Sequence, residues 1–153
     1  MNTDNNAVYG FKVSGKHRRN VYEMIFARLQ QMGILDEDGE MKVAYMKFKS
    51  PGLMDLNVDR LWNDQIAIAH NGIQNGDVMA DPDMEIQIFP KQKMAEALTY
   101  QNDYLGRYVK IYPEPGMYIP QLKKDLNRFL NDWLKRMIEV QKYELIPEET
   151  EVA

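Results

Sequence analysis

Apolar residues fall at two different periods along this chain, and the change of period divides it into elements. Val21, Met24, Ile25, Leu29 and Met32 recur at spacings of three and four, the signature of one buried helical stripe. Ser14 is a plausible N-cap for this helix. Gly33 stands where a helix closes in the left-handed conformation, and Asp36-Glu37-Asp38-Gly39 reads as a turn. From Met41 to Lys49 the period drops to two, with Ala44, Met46 and Phe48 alternating against more polar neighbours until Ser50-Pro51-Gly52 breaks the run. Met54, Leu56 and Val58 alternate with Asp55, Asn57 and Asp59, and Ile66 and Ile68 continue that pattern after a turn at Asn63-Asp64. Met84, Ile86 and Ile88 alternate with Glu85 and Gln87 and stop at Pro90. Met94–Gln101 and Leu105–Tyr112 read as two further strands with Asn102, Asp103 and Tyr104 between them.

The helical period returns after Pro113, Pro115 and Gly116. Leu122, Leu126, Phe129, Leu130, Trp133, Leu134, Met137 and Ile138 define one face, opposed by Lys123, Lys124, Asn127, Arg128, Asn131, Lys135 and Glu139. This predicts an amphipathic helix of about 22–25 residues lying across the sheet and closing the core. Connections this short imply an antiparallel meander rather than βαβ crossovers. The expected architecture is therefore α+β: an N-terminal helix, an antiparallel sheet of about five strands, and the long C-terminal helix packed on it. Residues 1–12 read as a loose N-terminus, 13–143 as a single domain and 144–153 as an acidic tail.

Composition narrows the functional classes. The chain has 153 residues, 44% of them hydrophobic, which suits one globular domain and argues against both a disordered chain and a membrane protein. Without cysteine there is no disulfide framework and no thiolate zinc site, and two histidines are too few for a His-rich metal centre. No apolar stretch follows Met1, so no signal peptide is expected, and a cytoplasmic protein is the default. Four of the 23 acidic residues (Glu144, Glu148, Glu149 and Glu151) lie in the tail, and the remaining 19 balance the 19 Lys and Arg. A neutral body gives no electrostatic argument for nucleic-acid binding. The local exception, Lys12, Lys16, His17, Arg18 and Arg19, is read as a solvated helix start before it is read as a phosphate contact.

The most unusual stretch runs from His70 to Glu85. Asn75-Gly76-Asp77 and Asp81-Pro82-Asp83 read as two tight turns leading into a strand, with carboxylates satisfying turn amides. A sharper alternative is a site for a hard divalent cation, Mg²⁺ or Mn²⁺, held by Asp77, Asp81, Asp83 and Glu85. In that alternative the protein is a metal-dependent phosphodiesterase or nuclease, with His70, Asp77 and Glu85 as catalytic candidates. Asp77 or Asp81 ahead of Glu85-Ile86-Gln87 weakly matches such a nuclease pattern, whereas the spacing fails the twelve-residue calcium loop. No glycine-rich phosphate loop, Gly-x-Ser-x-Gly or His-Glu-x-x-His is present, so other common catalytic templates are closed. A second polar stretch, Thr99–Tyr108, reads as a hairpin turning at Asn102-Asp103, with Tyr100 and Tyr108 packing across the strands.

His70, the run Gln74-Asn75-Gly76-Asp77-x-Met79-x-Asp81-Pro82-x-Met84, the segment Thr99-Tyr100-Gln101-Asn102-Asp103, and Phe129-Leu130 with Trp133-Leu134 together resemble a family of small proteins of bacterial plasmids, conjugative elements and phages. The resemblance covers roughly residues 40–142. It implies a domain without an assigned activity in a bacterial cytoplasm, and it transfers no catalytic residue. The leading expectation is a non-enzymatic accessory protein that binds a protein of the host or the element, with no cofactor and in an oligomeric state left open. The expected contact surface is the turn-rich face carrying Asn75, Asp77, Asp81, Asp83, Tyr100, Asn102, Asp103 and Tyr104.

Overall fold

The computed structural model describes residues 18–152. Helix α1 spans Val21–Met32. Its start is set by a reciprocal capping box: the Glu23 N–H donates to Asn20 Oδ1 at 2.8 Å, and the Asn20 N–H donates to Glu23 Oε1 at 3.0 Å. The helix thus begins later than a Ser14 cap implies, and Ser14 itself lies outside the described residues. Gly33 ends it at φ 84°, its N–H returning to Gln30 O.

The strands are β1 (Val43–Lys49), β2 (Asp55–Arg60), β3 (Gln65–Gln74), β4 (Asp77–Phe89), β5 (Met94–Ala97), β6 (Thr99–Asn102) and β7 (Arg107–Lys110). After helix α2 (Pro120–Glu139) come two short strands, β8 (Glu144–Leu145) and β9 (Glu151–Val152). All pair antiparallel in one sheet ordered β7-β6-β4-β3-β2-β1-β8, with β5 also on β4 and β9 on β1. The class and the meander agree with the sequence pattern, but among the described residues the sheet has nine strands rather than about five. Two causes account for three of the extra strands. The run expected over Met94–Gln101 breaks at Leu98, whose N–H bonds Glu85 O at 2.8 Å while its carbonyl accepts from Ile111 N–H at 2.9 Å. The acidic C-terminal segment adds the other two strands, on the edge of β1.

One face of the sheet forms the core. Register places Met46, Val58, Ile68 and Met84 in one row across β1–β4, and Ile66, Ile86 and Ala97 in another. These pack with Ile25 and Leu29 of α1 and Leu126, Leu130, Leu134 and Met137 of α2. The opposite face is polar: Tyr45 Oη donates to Asn57 Oδ1, Asn57 Nδ2 to Asn71 Oδ1 at 2.6 Å, and Gln65 Nε2 to Gln87 Oε1 at 3.0 Å.

Helix α2 is 20 residues long and buries most of the expected stripe. Phe129 departs from it, 38% exposed at the stripe's margin and edge-on to Tyr100, with ring centroids 5.6 Å apart. Asn127 departs the other way. Placed on the polar face by the helical period, it is only 1% exposed, accepting from Ala97 N–H and donating to Lys123 O, each at 2.8 Å. Among the described residues no helix is long and apolar enough to cross a membrane.

Candidate functional site

The β3–β4 hairpin closes through Asn75 and Gly76, both at positive φ (52° and 86°), as the sequence required. The second expected turn does not form: Asp81-Pro82-Asp83 lies inside β4, with a cis Asp81–Pro82 bond. Ala69 pairs with Asp83 and Asn71 with Ala80, so Asp81 and Pro82 together stand opposite the single residue His70. This is a β-bulge, which a proline tolerates because it leaves the ladder without needing its missing N–H.

The bulge joins the two polar stretches. Asp81 Oδ1 accepts from Asn102 Nδ2 at 2.6 Å, and Asn102 Oδ1 accepts from Leu105 N–H at 3.2 Å, capping the short 3-10 turn Asp103–Leu105. Asp103 accepts from Ala80 N–H at 2.8 Å and from Gln101 Nε2 at 2.7 Å. Those two hydrogen bonds, Gln101 first, hold its carboxyl below the usual range. Tyr104 lies over Gly72: a Cβ there would come within 2.6 Å of the tyrosine hydroxyl, so a larger residue at that position requires Tyr104 to move aside. Residues far apart in sequence thus build one end of the molecule.

The carboxylates are distributed rather than gathered. Asn75 and Asp77 sit exposed at the hairpin, Asp81 is engaged by Asn102, and Asp83 and Glu85 point outward from β4. Burial raises the Asp83 pKa, and the charges of Glu85, Asp103 and Asp59 raise it further. Among the described residues no three His, Asp or Glu side chains converge to hold a metal ion.

His70 faces the other way, paired with Leu56 on the core side. It stacks on Tyr143 at 5.3 Å between centroids and meets Trp133 edge-on at 5.0 Å. Its Nε2 is buried without a hydrogen-bond partner, and burial pushes its pKa down to about 4. The imidazole is therefore neutral and on the opposite side of the sheet from Asp83 and Glu85.

The tyrosines also differ from expectation. Tyr100 pairs with Val109 and Gln101 with Tyr108, which puts Tyr100 and Tyr108 on opposite faces rather than against each other. Tyr100 instead meets Phe129 and lies beneath Arg107, 5.8 Å from its ring centroid. Of the basic cluster, Arg18 and Arg19 are exposed just before α1, while Lys12, Lys16 and His17 lie outside the described residues.

The feature that sequence reasoning missed is apolar. Ile73 and Val78 are direct cross-strand partners at the end of the hairpin, 75% and 69% exposed. Leu105, 72% exposed, adds further apolar surface at the same end, beside Tyr104. The signal was present, since Ile73 and Val78 flank Asn75-Gly76 symmetrically. Strand pairing with β2 ends at Asp55–Asn71, so the residues beyond it project as a free two-stranded ribbon.

Residues 22–144 match the family described as "Domain of unknown function (DUF6908)", and the chain belongs to that family. No curated protein and no solved structure matches it.

Proposed function

We propose that this member of the family is a non-enzymatic accessory protein of a phage or other mobile genetic element that acts in the bacterial cytoplasm by binding a protein of its host or element. The observation that carries the reading is the exposed Ile73–Val78 pair at the end of the projecting ribbon. A β-branched pair left mostly exposed is costly surface for a lone domain, and a central apolar anchor with a polar rim is the form interfaces take. Asn75, Asp77 and Asp103 supply that rim, and the Asp81–Asn102 bond together with Asp103 holds the ribbon against the 3-10 turn, so the surface is preorganised. The mobile-element origin rests on the likeness of the Asn-Gly-Asp-x-Met-x-Asp-Pro motif to proteins of such elements.

The test is an affinity capture from bacterial lysate with wild-type protein and the Ile73→Asp/Val78→Asp variant side by side. Both positions are exposed, so the variant is expected to keep its melting temperature to within about 2 °C. A specific protein held by the wild type and lost by the variant is the expected result. Identical captured sets would overturn the assignment of this surface.

A further inference from the structure

A groove of about 640 Å³ lies between α1 and the N-terminal half of α2, away from the ribbon. Its charged lining residues are all cationic: Lys123, Lys124 and Arg128, in a chain whose acidic residues outnumber its basic ones. Tyr22 and Tyr118 supply aromatic surface in the same groove, and Asn131 supplies an amide.

The parts of this groove are held unequally, in the manner of a binding site. Lys123 is fixed: its ammonium donates to Tyr112 Oη at 2.9 Å, lies 3.5 Å from Glu96, and sits 4.6 Å from the centroid of Tyr118 and 5.8 Å from that of Tyr22. Asn131 Oδ1 is committed to Arg28 Nε at 2.9 Å, which leaves its Nδ2 as the free, donating end. Lys124 and Arg128 are exposed at the mouth and form no ion pair among the described residues. An amide donor, two exposed cations without ion-pair partners among the described residues and two phenol rings, held about an ion-paired lysine, are complementary to an anion attached to a flat ring. The size falls in the range of small-ligand sites, about 300–1,000 Å³.

We infer that this groove binds a small organic phosphate carrying a planar ring, of the size of a nucleoside monophosphate. The phosphate is met by Lys124 and Arg128, the ring packs on Tyr22 and Tyr118, and Lys123, paired with Glu96 and bonded to Tyr112, is a fixed part of the wall between them. This ligand and the protein contact at the ribbon occupy separate surfaces, so either assignment can fail without the other.

The test is a backbone-amide NMR titration of the full chain with adenosine monophosphate, adenosine, inorganic phosphate and a short single-stranded oligonucleotide. Adenosine monophosphate is expected to shift the resonances of Tyr22, Lys124 and Arg128 in a saturable way, with adenosine and inorganic phosphate each weaker on the order of tenfold or more. The Lys124→Ala/Arg128→Ala variant, altered only at exposed positions, is expected to keep its spectrum and lose that binding. Absence of saturable shifts, equal binding of adenosine, or undiminished binding by the variant would overturn the proposal. So would an oligonucleotide that binds through these residues where adenosine monophosphate does not, since the site would then read a strand and not a small molecule.

Discussion

The imidazole of His70 is enclosed by Trp133 and Tyr143, its Nε2 has no hydrogen-bond partner, and burial pushes its pKa down to about 4. In the unfolded chain the same ring meets water and titrates near the ordinary value of about 6.5. Between those values the unfolded state takes up a proton that the folded state refuses. The neutral ring's contribution is therefore fully present above about pH 6.5, is lost as pH falls, and is exhausted below about pH 4, for a total on the order of 3 kcal/mol. Other carboxylates titrate in the same window, so a comparison isolates this ring: urea unfolding of wild type and His70→Phe at about pH 7.5 and 4.5. The phenylalanine occupies a similar volume between the same rings and cannot be charged. The wild type is expected to lose roughly 2–3 kcal/mol more than the variant over that interval. Equal losses would mean that His70 is protonated in the folded state without cost. In the sequence His70 falls in phase with Ile66 and Ile68, but its side is settled by the pairing with Leu56 and by Trp133 and Tyr143, which come from segments far along the chain.

At the scale of elements, periodicity located both helices and the alternating strands, because burial of one face is a repeated local constraint that leaves its mark on every turn. It misplaced what depends on a single distant partner. Asn127 reads as a solvent-facing residue of α2, yet it alone satisfies the Ala97 N–H of β5, a group the helical period cannot reveal. Asp81-Pro82-Asp83 carries strong turn chemistry, yet the pairing of β3 with β4 on either side overrides it and leaves a bulge. The sequence carries the capping box Asn20-x-x-Glu23 that starts α1, whereas Ser14, the expected cap, has no acidic residue three positions on. Substituting Asn127→Leu preserves helix propensity and volume but leaves the Ala97 N–H buried without a partner. That variant is expected to lose about 1–3 kcal/mol in chemical denaturation, a cost typical of an orphaned amide. Unchanged stability would mean the strand finds another acceptor.

For the molecule as a whole, the decisive question is how a nine-stranded open sheet guards its two edges. One edge is β7, four residues long and carrying Arg107 and Lys110, whose charges disfavour pairing with another chain. The other edge is β1, longer and more apolar, and it is covered by the chain's own acidic segment. Phe48 pairs with Leu145 and Val43 with Val152, Ile146 N–H donates to Lys47 O at 2.8 Å, and Lys47 lies 3.2 Å from Glu149. Its charge marked this segment as a tail, since four glutamates in ten residues obscure the few positions that form the ladder. Backbone pairing carries the cover, because a partly exposed ion pair such as Lys47–Glu149 contributes at most about 1 kcal/mol. Deleting residues 144–153 removes that cover while leaving Tyr143 in place to hydrogen-bond Met54 O and stack on His70. The truncated protein is expected to melt about 3–10 °C lower and to self-associate through the bared β1, visible as a concentration-dependent shift in size-exclusion elution relative to the full chain. High salt weakens the ion pair and spares the ladder, so it should not reproduce either effect in the intact protein. If truncation changes neither melting nor elution, β1 is protected by its own twist and side chains, and the C-terminal strands are an ornament of the fold and not its guard.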